Sequence, residues 1–336
     1  MSRQQREEGV RGAGRLLSLA RLTSVGSALL PGGIAGVQLA GLLFFLNPHW
    51  PFEPVPVASA TWFYATLLAS LCAIVLLPFT WGRPQRARRA LPWALFAVFL
   101  ASGLVFWVHA STFSYYLPAG INRRLIKAAF WLTMAAVATF YTALLHSLQR
   151  RPYSRRSTGL LMVVSALAVY VVLERREAFR PPVEITPRPS SAAPIVRPNL
   201  LVVGLASGSL DVVLPLAEQG LLPFFGSLLR DGAYGRLTTI EPTRELPLWN
   251  SLATGKYPYQ HGVVAAHRYR APFVSPDAEF HLTPLGLGFE HWGLPGGALS
   301  RSFSSRSLPA WTICERLGMP AAVLGWPGVA DAGIAP

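Results

Sequence analysis

Five long apolar runs in the first half of the chain limit its fold more than any other feature of the sequence. They cover about residues 25–46, 57–79, 90–108, 126–148 and 159–173. The first four approach the roughly 20 residues that a helix needs to cross a hydrocarbon core of about 30 Å, and the fifth is shorter. Helices buried in a soluble bundle would carry polar stripes, which these runs lack. The sequence therefore predicts a five-helix transmembrane bundle within a membrane domain at residues 24–175.

The basic residues between these runs predict the orientation of the bundle. Arginines fill the N-terminal segment 1–23 and two of the loops. The loop arginines are Arg83, Arg86, Arg88 and Arg89 in one, and Arg150, Arg151, Arg155 and Arg156 in the other. The loop at 47–56 has no lysine or arginine. Because basic loops tend to stay in the cytoplasm, we expect a cytoplasmic N-terminus and, after five crossings, an outer C-terminal part. Three basic residues at the start of the fourth run oppose this scheme, namely Arg123, Arg124 and Lys127.

The charge composition indicates the kind of source organism and the kind of binding partner. The net charge is +14, and Lys127 and Lys256 are the only lysines. Arginine in place of lysine hints at a GC-rich bacterial genome, so we expect a bacterial inner membrane with the C-terminal part in the periplasm or extracellular space. A basic chain can bind nucleic acid. The arginines here lie between apolar runs and no nucleic-acid-binding motif is present, so we expect no nucleic-acid partner.

The second half of the chain has a different pattern. A proline-rich linker at 176–197, which would be stiff and extended, leads to a C-terminal part at 198–336. There the apolar residues 200–205 predict a strand buried on both faces. Helices are predicted after Ser209, a capping residue, and from Pro223. This alternation of strands and helices indicates an α/β domain with a mostly parallel sheet, and sites in such sheets form at the carboxyl ends of the strands.

A series of short motifs follows the first predicted strand in order. They are Gly204-Leu205, Gly220-Leu221-Leu222-Pro223-Phe224, Gly232-Ala233-Tyr234-Gly235-Arg236-Leu237, Glu241-Pro242-Thr243, Trp249-Asn250-Ser251-Leu252-Ala253-Thr254-Gly255 and Tyr257-Pro258-Tyr259-Gln260-His261-Gly262. Each motif alone is weak evidence, but their order and spacing are specific. The segment resembles the type I phosphodiesterase/nucleotide pyrophosphatase branch of the alkaline phosphatase superfamily. The resemblance implies the N-terminal part of an alkaline-phosphatase-like domain at 198–336.

The resemblance also implies where the chemistry of the family would lie. The family nucleophile is a Ser or Thr two residues after Pro-Thr, a position that Glu245 occupies here. A carboxylate cannot simply replace an alkoxide, although carboxylates serve as nucleophiles in other enzymes. Thr243 and Ser207 are the neighbouring hydroxyls that could substitute for it if the backbone shifted.

A divalent metal, zinc by resemblance, is the cofactor that the family uses. The family's aspartate ligand at the end of the first strand corresponds to Ala206, whose methyl group cannot bind a metal. Asp211 is a poor substitute, because a carboxylate on the first turn of a helix more simply complements the helix dipole. The other family ligands would lie beyond Pro336, so we expect this sequence to be a fragment.

Two functions are therefore open. The first is a membrane-anchored, metal-dependent phosphate-ester hydrolase or phosphotransferase outside the cytoplasm, acting on phosphorylated envelope or lipid-linked substrates. The second is a catalytically degenerate relative that serves as a binding or scaffolding module, which Ala206 and Glu245 together favour. A zinc site formed by His267, His281 and His291 is not expected, because their spacing matches no compact metal motif.

Overall fold

The computed structural model describes residues 3–149, 153–174, 200–271, 273–275, 278–284, 298–299 and 307–327, with the backbone alone at 3–20 and 298–299. The predicted linker at 176–197 lies outside the described residues and therefore stays a prediction. His291 and residues 328–336 also lie outside them.

Five helices form the first half of the chain. They are α1 (Arg3–Leu46), α2 (Pro54–Thr80), α3 (Pro84–Thr112), α4 (Ala119–Leu148) and α5 (Arg155–Leu173). All five are long and apolar enough to cross a membrane, with Arg21–Leu46 as the candidate span of α1. The five predicted runs are thus present, but the helices extend beyond them. The first helix passes through Pro31, and Pro54 and Pro84 start the second and third, because proline fits the first turn of a helix.

Helix α1 packs against α2, α3 and α5, and glycines allow its close approach to α2. A Cβ added at Gly36 would lie 2.2 Å from the backbone oxygen of Tyr64, and one at Gly32 would lie 2.2 Å from that of Leu68. Small residues at such a crossing let the two backbones come together, as is common between membrane helices.

Five short helices and three short strands lie in the described residues of the second half. They are α6 (Leu210–Glu218), α7 (Pro223–Asp231), α8 (Glu245–Thr254), α9 (Pro258–His261) and α10 (Ala310–Arg316), with β1 (His267–Arg270), β2 (Glu279–Phe280) and β3 (Ala298–Leu299). Two predicted helix starts are confirmed. The Ser209 hydroxyl accepts the backbone N–H of Asp211 at 3.2 Å, and Pro223 stands in the first turn of α7. Helices α6 and α7 together are also long and apolar enough to cross a membrane, but the angle between the two helices is 100°.

The sheet differs from the prediction in the residues that the structure describes. Those strands form one antiparallel sheet in the order β2-β1-β3, with Tyr269 opposite Phe280. The segment 200–205, predicted as a strand buried on both faces, is not paired with another described strand. Leu200 and Leu201 are 86% and 85% exposed, so the described residues do not bury this segment on both faces. The parallel sheet therefore stays a prediction.

The second half of the chain docks on two loops of the bundle. In the α1–α2 loop, the Asn47 side chain bonds to the backbone of residues 281 and 282, and the Trp50 indole donates to the Glu279 carbonyl at 2.8 Å. The Trp50 ring also packs edge-on against Phe280, with centroids 5.0 Å apart. In the α3–α4 loop, the Tyr116 hydroxyl donates to the Pro242 carbonyl at 2.7 Å. We call this end of the bundle the docking end.

The three basic residues that oppose the predicted orientation start α4, which follows the α3–α4 loop of the docking end. Lys127 forms an ion pair of 2.9 Å with Glu174, which directly follows α5, and Arg124 donates to the Glu174 carbonyl at 3.3 Å. One carboxylate therefore offsets part of this positive charge.

Candidate functional site

Trp249 on α8 is the point where the family-like motifs meet. A Cβ at Gly204 would lie 2.6 Å from Cη2 and Cζ3 of the Trp249 ring, so the close contact depends on glycine. Trp326 packs edge-on against Trp249 with centroids 5.1 Å apart, and its indole N–H donates to the Trp249 carbonyl at 3.3 Å. Trp311 of α10 lies 5.5 Å from Trp326. The segment that ends at Leu205 and the turn at 325–327 are thus both held against α8.

The Ser251 and His261 positions of the family motifs form a buried hydrogen bond that joins α8 to α9. His261 Nδ1 accepts the backbone N–H of Val263 at 3.2 Å, so the ring proton is on Nε2, which donates to the Ser251 hydroxyl at 2.9 Å. Both connecting glycines adopt left-handed conformations, with φ of 66° at Gly255 and 82° at Gly262. These motif residues therefore fix the shape of the segment rather than face a ligand.

Burial of this histidine predicts a loss of stability in acid. His261 is 1% exposed. Burial lowers the pKa of His261 to about 4, the Pro247 carbonyl opposes this shift, and Lys256 adds to it. Because the unfolded chain takes up a proton near pH 6.5 and the folded chain does not, stability should be full above pH 6.5. It should fall by at most about 3 kcal/mol between pH 6.5 and 4.

The measurement is the melting temperature of the detergent-purified full chain from pH 4 to 8. His261→Gln keeps a neutral hydrogen-bonding side chain and should flatten the slope between pH 4 and 6.5. His267→Gln, which alters a half-buried histidine of β1, serves as the control and should keep the slope. An equal slope in wild type and His261→Gln would assign the acid sensitivity to other groups.

The turn before α8 carries the predicted catalytic positions. Thr243 and Glu245 are both exposed, and Glu245 is the first residue of α8. Arg244 stands between them as the N-cap residue, and its side chain makes no capping hydrogen bond. The structure thus places Thr243 and Glu245 beside each other at the N-terminus of a ten-residue helix. We call residues 242–245 the site turn.

The site turn rests on the α3–α4 loop of the bundle. The Arg244 guanidinium carbon lies 5.4 Å from the centre of the Phe113 ring and 5.9 Å from that of Tyr116. Burial raises the pKa of Tyr116 to about 12 against the opposing effect of Arg244, so its hydroxyl stays protonated and donates to Pro242. These two aromatic residues were not predicted from the sequence. They belong to the membrane half, and no motif connects them to the site.

The remaining predicted positions lie on the segment before α6. Ala206 is exposed in the turn two residues after Gly204. The contact between Gly204 and Trp249 holds this segment against α8. Ser207 follows with a left-handed φ of 61°. Asp211 is on the first turn of α6, as predicted, and it forms an exposed ion pair with Arg236.

The described residues do not fit the family's metal. Ala206 offers no ligand atom, and the Asp211 carboxylate is engaged by Arg236. Within the described ranges, no group of three or more His, Cys, Asp or Glu side chains could hold a metal ion. His267 lies in β1, and His281 stacks on His49 at 3.8 Å.

Comparison with known proteins agrees with the resemblance. Residues 200–332 match the model of the type I phosphodiesterase / nucleotide pyrophosphatase family. A search of curated proteins and a search of solved structures each found no match to the chain. In the described residues, the chain thus joins five membrane-compatible helices to a second half that matches this family model. The match supports a relationship to the alkaline phosphatase superfamily.

Proposed function

We propose that this chain is a membrane-anchored, extracytoplasmic phosphodiesterase/nucleotide pyrophosphatase-like protein whose outer domain takes phosphate esters. The observation that carries the proposal is the family match at 200–332, because the match covers the site turn and the motifs that meet at Trp249. Hydrolysis and transfer to an acceptor are both within the chemistry of such a domain.

The packing of the two halves supports an outer location for the domain. The domain contacts the α1–α2 and α3–α4 loops. If all five helices span the membrane, the α2–α3 and α4–α5 connections lie at the opposite end, and the helices that follow them start with Arg86, Arg88 and Arg89 and with Arg155 and Arg156. Basic loops favour the cytoplasm, so the docking end would face the periplasm or the exterior of a bacterial inner membrane.

The substrate class follows from the same placement. The site turn touches residues 113 and 116, which directly follow a predicted span. A site held there is close to the bilayer surface, where phosphorylated envelope or lipid-linked compounds lie. We therefore propose such a phosphate ester as the substrate.

A second candidate is a binding or scaffolding module without catalysis. Three observations favour it. Ala206 cannot ligate a metal, Glu245 replaces the hydroxyl nucleophile, and Asp211 is paired with Arg236. Since a metal ligand and the nucleophile are both replaced, the family chemistry is harder to rescue than after one change.

The test is turnover by the membrane-extracted full chain. The substrate is bis(p-nitrophenyl) phosphate, with zinc or manganese added and the bound metal measured in the same sample. Turnover by the wild-type chain that is lost in Glu245→Gln would support the enzymatic function. Phosphate binding without turnover would support the binding module, and absence of both would contradict the proposal. Arg230→Gln, an exposed change on α7, is the matched control and should leave the result unchanged.

A further inference from the structure

Arg244 is a partly buried cation whose hydrogen-bond donors are unused. Within the described residues, its guanidinium has no ion-pair or hydrogen-bond partner. Its N–H groups are therefore open to a ligand or to solvent. Among the described residues, its guanidinium lies over the rings of Phe113 and Tyr116.

Those rings hold the guanidinium in one place. A guanidinium stacked on aromatic faces keeps its N–H edge available for acceptors that lie in its plane, and this edge matches the spacing of phosphate oxygens. Tyr116 is itself fixed, because its hydroxyl donates to the Pro242 carbonyl two residues before Arg244. The aromatic pair therefore orders the cation before any ligand arrives.

The backbone beside Arg244 adds to the effect. Arg244 is the N-cap residue of α8 and its side chain makes no capping hydrogen bond, so it leaves the first-turn N–H groups of Glu245 and Leu246 available to a ligand. Such N–H groups and the helix dipole attract anions. Burial lowers the pKa of Arg244, because removal from water disfavours the charged form, and a bound anion would offset that cost.

We propose that Arg244, held on Phe113 and Tyr116 of the membrane bundle, binds the phosphate group of the ligand at the site turn. The choice of a phosphate ester rests on the function proposed above. The membrane half orients the residue that binds the ligand, so the bundle is a component of the site as well as an anchor. The Glu245 carboxylate is the one acidic group of the site turn, and it weakens the binding of an anion.

The test is a calorimetric titration of inorganic phosphate into the full chain in neutral detergent. Arg244→Gln should weaken binding at least about tenfold, because hydrogen bonds to a charged group are lost. Arg244→Lys should recover part of the affinity, and Glu245→Gln should raise it. Arg230→Gln is the control, since Arg230 is an exposed arginine of the same domain away from the site turn.

Nanodiscs distinguish the two sources of phosphate. If a lipid headgroup is the natural ligand, phosphatidylglycerol should compete with added phosphate in wild type, whereas phosphatidylcholine alone should not. If the ligand is a soluble phosphate ester, the affinity should be equal in both lipids.

Equal affinity in wild type and Arg244→Gln would overturn the proposal, and so would the absence of phosphate binding in wild type or an equal loss in Arg230→Gln. Melting temperatures of all variants show whether each is folded. Turnover is not needed in this experiment, so failure of hydrolysis and failure of the Arg244 site are separate outcomes.

Discussion

Replacing Asn47 with leucine is expected to loosen residues 279–282 of the second half of the chain from the helical bundle while the bundle stays folded. Asn47 is fully buried in the α1–α2 loop. Its Oδ1 accepts the backbone N–H groups of His281 and Leu282 at 2.8 and 3.0 Å, and its Nδ2 donates to the Leu282 carbonyl at 2.9 Å. One side chain thus bonds three backbone groups of the other half of the chain.

Leucine has a similar volume but leaves those three groups without their partners. Each unsatisfied buried group costs about 1–3 kcal/mol, so the loss is roughly 3 kcal/mol or more. Opening of this contact restores the hydrogen bonds to water. Ring pairs such as Trp50–Phe280 and His49–His281, and the Tyr116–Pro242 hydrogen bond, still hold the two halves together, so we expect the opening to be largest at residues 279–282.

Hydrogen exchange of the detergent-purified full chain measures this directly. The amides of residues 279–282 should exchange on the order of a hundred times faster in Asn47→Leu. Ser59→Ala is the control, because Ser59 is exposed and its hydroxyl bonds one backbone group of the second half, the Phe273 carbonyl at 2.9 Å, besides the Pro56 carbonyl at 3.1 Å in its own helix. Exchange at wild-type rate in Asn47→Leu would show that other contacts hold the domain, and faster exchange throughout α1–α5 would indicate unfolding of the bundle instead.

The membrane half was predictable because length and apolarity are properties of local sequence. All five runs are helices, but the helices start before the apolar runs do. The 57–79 run lies in a helix that begins at Pro54 and the 90–108 run in one that begins at Pro84, because proline fits the first turn of a helix. The predicted boundary at residue 23 is likewise inside one continuous helix that begins at Arg3.

The site was predictable only in part. Motif spacing located Glu245 and Thr243, and the structure brings them together at the start of α8. The partners of the site turn come from far away in the chain. Tyr116 is 126 positions from Pro242, and Asn47 is 235 positions from Leu282. A single sequence carries no signal for such pairings, because the residues are ordinary members of a loop until the fold brings them into contact.

The largest gain of function is expected from a double change at the two divergent positions. Ala206→Asp with Glu245→Thr should give the full-length chain phosphodiesterase activity when zinc or manganese is present. The first change adds the carboxylate ligand that the family uses, and the second adds a hydroxyl at the nucleophile position. Both positions are exposed, so neither new side chain needs space in a packed core.

The matched control is Ala206→Asp with Glu245→Val, because valine has the shape of threonine without its hydroxyl. The threonine double variant should hydrolyse bis(p-nitrophenyl) phosphate at least about a hundredfold faster than this control, since a nucleophile and charge stabilisation each contribute several kcal/mol. Each single variant should stay near the control, because ligand and nucleophile act together. Equal rates in the threonine and valine variants, with both folded and metal added, would contradict the assignment of residues 206 and 245 to the family positions.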